Sequence, residues 1–171
     1  MASLMDELIG VLGEEKEHYE KLYKLGLEKN GVIVSNDLKR MQELTGEEQL
    51  LVDHLLNLNN KRDQLMSEVA EVMGKNPKHI TVSKIVEMMS GQPEYERQLA
   101  TLHDSLLTTV KKLREITTHN QDMLKDAIEM TEFEINLAQS LNQAPETANY
   151  DRGVLSGGTL GASYSKFDTK Q

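Results

Sequence analysis

The sequence predicts an all-α protein, an elongated antiparallel helical bundle or coiled coil of three main helices plus one short helix, followed by a flexible C-terminal tail. Three observations carry this. Between Leu99 and Leu141 there is no Pro or Gly, and apolar residues recur by alternate threes and fours. A second stretch, from about Asp37 to Met73, repeats the same spacing. Aromatic residues are scarce, with no Trp, two Phe and five Tyr, so aliphatic stripes must do the packing. A period near 3.5 places such residues on one stripe of a helix.

The first helix is expected from Leu4 to about Lys29, with Leu4, Leu8, Leu12, Tyr19, Leu22 and Leu25 on one face. Gly10, Gly13 and Gly26 each weaken it by about 1 kcal/mol relative to Ala. Asn30-Gly31 supplies a stop signal, with Gly31 able to take positive φ. Val32-Ile33-Val34 then reads as an apolar link, and Ser35 or Asn36 as the cap of the next helix. The second helix carries Met41, Leu44, Glu48, Leu51, Leu55, Leu58, Arg62, Leu65, Val69 and Val72 on its stripe. Gly74-Lys75-Asn76-Pro77 breaks the chain, and Thr81 to Met89 forms a short helix that covers one end of the long pair. Pro93 suits the first turn of the last helix.

That last helix has the stripe Leu99, Leu102, Leu106, Thr109, Leu113, Ile116, Asn120, Met123, Ala127, Met130, Glu134, Leu137 and Leu141. From Leu99 to Leu141 it would be roughly 60 Å long at ~1.5 Å per residue. A helix of that length is marginal alone, so something must lie along it. Glu48 and Arg62 on the second helix and Asn120 and Glu134 on the last are polar residues on the stripes. They are expected to pair across the bundle, snorkel at its edge or fix its register, or else to mark a face open to another protein. Past Met123 the apolar set widens beyond one stripe: Met123, Leu124, Ala127, Ile128, Met130, Phe133, Ile135, Leu137 and Leu141. Either the first helix covers this surface or it stays open to a helix from another protein. Self-association through it would look the same in the sequence.

Composition excludes several classes. The absence of Cys removes disulfides, thiolate catalysis and sulfur-ligated metals. A formal charge of −9 argues against binding nucleic acid. No apolar run is long enough to insert in a membrane, and Met-Ala-Ser-Leu-Met-Asp-Glu has no secretory character, so a cytoplasmic location is expected. Glu15-Lys16-Glu17-His18 is a single Glu-x-x-His, whereas di-metal bundles use two with further Glu residues. Solvated charged faces are therefore expected rather than a metal site. The stretch Gly157 to Gly161 lacks the Lys-Ser/Thr ending of a phosphate loop. No catalytic, cofactor-binding or metal-binding residue is assigned, and the chain is not read as an enzyme. Residues 1–142 are expected to form the helical bundle domain and 143–171 the flexible, Gly-containing tail.

The chain resembles the FlgN-like export chaperones of bacterial flagella. The resemblance is carried by Leu4, Leu8, Leu12, Tyr19 and Leu22, then Asn36-Asp37-Leu38 and Glu47-Glu48-Gln49-Leu50-Leu51. A long closing helix and Asn149-Tyr150-Asp151-Arg152-Gly153 complete it. It implies a cytosolic, non-enzymatic protein without a cofactor that binds the C-terminal helical region of hook–filament junction (hook-associated) proteins. Such a protein prevents their premature assembly and delivers them to the type III export apparatus. The family's client-binding role falls on Met123, Ala127, Ile128, Met130, Phe133, Ile135, Leu137 and Leu141, and Tyr150 matches the tail tyrosine that contacts the export gate. The alternative is a structural coiled-coil homodimer or adaptor with no export role.

Overall fold

The computed structural model describes residues 2–142; Tyr150 and the expected tail lie outside them. In order these are α1 (Ala2–Ser35), α2 (Leu38–Val72), a 3-10 turn (Pro77–His79), α3 (Val82–Met88) and α4 (Pro93–Asn142). Among the described residues there is no strand. They fall into two compact units, one ending at Met130 and the other beginning at Thr131.

The stop expected at Asn30-Gly31 does not occur. Helix α1 continues to Ser35, because Val32 and Ile33 are buried. Burying such side chains stabilises by about 1.5–3 kcal/mol each, which outweighs the ~1 kcal/mol that Gly31 costs a helix. The left-handed residue is Asn36 (φ 53°), not Gly31. Asn36 N–H donates to the Ile33 carbonyl at 3.2 Å and Asp37 N–H to the Val32 carbonyl at 3.3 Å, closing the last turn. The cap of α2 is therefore Asp37, whose carboxylate accepts from Arg40 N–H at 3.0 Å. Helix α2 ends by the same device, with Gly74 at φ 64°. There Gly74 N–H reaches the Glu71 carbonyl (3.0 Å) and Lys75 N–H the Ala70 carbonyl (2.8 Å). Thr81 caps α3 through its hydroxyl, which accepts from Lys84 N–H. Pro93 opens α4, with Glu94 and Glu96 in the first turn where the helix dipole favours acids.

In the first unit α1 and α2 form an antiparallel hairpin. Near its turn Arg40 pairs with Glu28 (2.7 Å) and Lys29 with Glu48; further along, Arg62 pairs with Glu15. Helix α4 runs alongside α1 in the same direction. Tyr95 OH donates to Asp6 at 3.0 Å, and Asn120 Nδ2 donates to the Gly26 carbonyl at 2.7 Å. The main core gathers Met5, Leu8, Val11 and Leu12 of α1 with Leu65, Met66 and Val69 of α2. Ile85 and Met89 from the short helix segment, with Leu99 of α4, close that end. The expected stripe of α2 is buried at Leu44, Leu55, Leu65 and Val69, whereas Val72 is exposed at the helix end.

The polar stripe residues have defined partners. Asn120, only 4% exposed, also accepts from Asn30 Nδ2 at 3.3 Å. Asn30 Nδ2 in turn lies 3.0 Å from the Met123 sulfur. Gly26 matters here for close approach: a Cβ at this position would sit 3.0 Å from Ile116 Cγ2. These contacts hold α4 against α1 at one axial position. Glu48 and Arg62 both pair with α1 and so join the hairpin, while Glu48 also lines a cleft with Leu113, Asn120 and Leu124 of α4.

Candidate functional site

The apolar residues of α4 from Met123 onward divide between the two units. In the first unit Met123 and Leu124 are half-buried, whereas Ala127, Ile128 and Met130 are exposed. In the second unit Phe133, Ile135, Leu137 and Leu141 are all exposed. Every residue from 125 to 142 is exposed, and the least exposed of the large apolar ones, Leu137, still shows 47% of its surface. Asn30 of α1 reaches α4 at Met123, the position just before this exposed run. At about 100° per residue, Phe133, Leu137 and Leu141 share one face of the helix, and Ile135 lies on another.

A second feature lies between α1 and α2. A groove of about 510 Å³ is lined by the apolar side chains of Leu25, Leu50 and Leu51. Lys21, Lys24, His18 and His54 stand around it. The two imidazole rings lie 5.7 Å apart, centre to centre. His18 Nδ1 is 2.8 Å from the Glu14 carbonyl oxygen. Leu50 is 64% exposed, and its pairing with Leu51 just off the α2 stripe is the signal in the sequence that could have located this groove.

The Glu-x-x-His motif is divided between two separate tasks. Glu15 is 1% exposed and accepts from Arg62 at 3.1 Å through both carboxylate oxygens, while His18 faces the groove. Burial pushes the Glu15 carboxyl above its ordinary value, and the Arg62 charge offsets part of that rise. Among the described residues no group of three or more His, Cys, Asp or Glu is placed to hold a metal ion. Among them, too, no helix is long and apolar enough to cross a membrane.

The family model described as FlgN protein matches residues 1–153 of this chain. The chain belongs to the FlgN family. FlgN proteins are flagellar export chaperones, a chaperone family rather than an enzyme family, and membership implies binding to flagellar hook-associated proteins in general. No curated protein and no solved structure matches the chain. The FlgN match extends past the described helices to Gly153 and so includes Tyr150.

Proposed function

We propose that this FlgN protein works in the cytoplasm and binds the C-terminal helical region of hook–filament junction proteins along the end of α4, without catalysis. The client surface is Met123, Ala127, Ile128, Met130, Phe133, Ile135, Leu137 and Leu141. What supports this reading is the run of exposed apolar side chains from Ile128 to Leu141, each between 47% and 69% exposed where it is large. A client helix destined for a filament carries an apolar stripe that aggregates if left bare. An amphipathic helix covers such a stripe by the helix-on-helix mode. The Met side chains adapt to more than one client surface, and the acids Glu129, Glu132 and Glu134 keep the pair soluble and discriminate against acidic partners. Residues 143–171, with Tyr150, take the delivery role by contacting the export gate.

The test is calorimetric titration with the C-terminal helical region of a junction protein. Phe133→Ala and Leu137→Ala should each weaken binding about tenfold or more, as central apolar anchors do, with helicity by circular dichroism unchanged. Unaltered affinity in both variants removes this surface. Tyr150→Ala should leave client affinity intact and weaken capture of the export component; equal capture by variant and parent counts against its role.

A further inference from the structure

The α1–α2 groove and the end of α4 are complementary in charge and agree in length. The chain carries a formal charge of −9, yet this groove is edged by two lysines and two histidines. Lys21 and Lys24 are exposed and enter no ion pair among the described residues. The acid that lines the groove, Glu47, is already engaged by Arg40 at 2.9 Å. Residues 126–142 have the opposite character. They hold Asp126, Glu129, Glu132 and Glu134 with no Lys or Arg, and Glu129 lies 3.9 Å from the ammonium of Lys125 one turn before it. By the helical period, Glu129 and Glu134 flank the Phe133–Leu137–Leu141 stripe on its two sides.

Lengths agree as well. The groove follows α1 from His18 to Leu25 and α2 from Glu47 to His54, about two turns of helix or roughly 10 Å. The stripe from Phe133 to Leu141 covers roughly 12 Å at the same rise. Leu25, Leu50 and Leu51 in the groove lining offer apolar contact to three side chains spaced by four residues.

We propose that the groove seats the 129–142 part of α4 from a second copy of this chain, so that the protein without client self-associates by exchanging these helix ends. The contact joins two different surfaces and closes into a dimer when both copies reciprocate. Each contact is only two turns long, which places the association in the weak, salt-sensitive class. It rests on the proposed function for one consequence alone: exchange covers Phe133 and Leu137, so a client helix and a second copy compete.

Light scattering on the full chain from about 5 to 500 µM tests this. The mass should rise above the monomer value of 19.3 kDa with concentration, and 0.5 M salt should raise the midpoint at least tenfold. Lys21→Glu with Lys24→Glu should weaken association at least tenfold, as should Glu129→Lys with Glu134→Lys. An equimolar mixture of the two reversed variants should associate again with near-parental strength. Because the chain has no Cys, mixing Lys24→Cys with Glu134→Cys should also give a disulfide between copies under mild oxidation. A parent monomeric throughout, a reversed variant that associates as tightly as the parent, a silent mixture or the absence of that disulfide each overturns the proposal. The Lys21→Glu, Lys24→Glu protein keeps every client-surface residue, so its failure to bind client would count against the proposed function and leave self-association untouched.

Discussion

Glu15 is the one buried ionisable side chain among the described residues, and its two oxygens face a single guanidinium. Desolvation raises its pKa above the ordinary 4.5, only partly offset by Arg62. Burial pulls the Arg62 guanidinium down, but Glu15 and Asp63 outweigh it and hold that charge more firmly than in water. A native carboxyl that keeps its proton to higher pH makes the folded state bind more protons from about pH 4.5 upward. This group's contribution is therefore most favourable below 4.5 and declines as pH rises through the native value. Glu15→Gln keeps an acceptor for Arg62 and removes the charge. In urea titrations it should gain stability relative to the parent between pH 4.5 and 7; a relative loss over that range would contradict the burial account. Arg62→Ala leaves a carboxylate buried without its counter-charge and should cost about 3 kcal/mol at pH 7. That deficit should shrink in acid, as Glu15 takes up a proton. Neither the burial nor the partner is legible in the sequence, because Glu15 reads as surface among Glu14, Lys16 and Glu17 and Arg62 lies on another helix.

At the level of the helices, three glycines of α1 look alike in sequence and differ in the fold. A Cβ at Gly10 or Gly13 meets nothing within 4 Å, so Gly10→Ala and Gly13→Ala should each stabilise by about 0.5–1 kcal/mol through propensity alone. At Gly26 the same methyl meets Ile116 Cγ2 at 3.0 Å, and Gly26→Leu should cost about 1–3 kcal/mol by forcing α4 away from α1. Equal effects at all three positions in thermal unfolding would remove the close-approach role. Asn120→Ala belongs with this contact, since it strips the Gly26 carbonyl and Asn30 of a buried partner. A loss of about 1–3 kcal/mol is expected. The periodic cores of α2, α3 and α4 are legible because the burial period is written directly in Leu, Ile, Val and Met spacing. The end of α1 is not, because local chemistry at Asn30-Gly31 favours a stop while burial of Val32 and Ile33 carries the helix on to Ser35. The apolar excess past Met123 is legible by counting side chains against one stripe. The α1–α2 groove is legible only as the Leu50-Leu51 pair beside the α2 stripe, because its form needs the register of two helices, which long-range contacts such as Arg62 with Glu15 hold.

For the whole molecule, holding a client and delivering it place opposite demands on one chain. Holding requires a preformed apolar surface on a stable support, whereas delivery requires a segment that engages the export apparatus without loosening that support. The buried side chains of the described residues all lie between Met5 and Asn120, and the proposed client surface also ends at Leu141, before residues 143–171. Deleting 143–171 should therefore leave unfolding free energy within about 0.5 kcal/mol of the parent, the range of changes that touch no core contact. In pull-downs from the cytosol of a flagellated bacterium, the shortened protein should still retain junction protein and should lose the export component. Loss of both would mean that the client surface extends into the deleted segment. Retention of both would move the export contact onto the helices, where the α1–α2 groove offers basic and apolar side chains together.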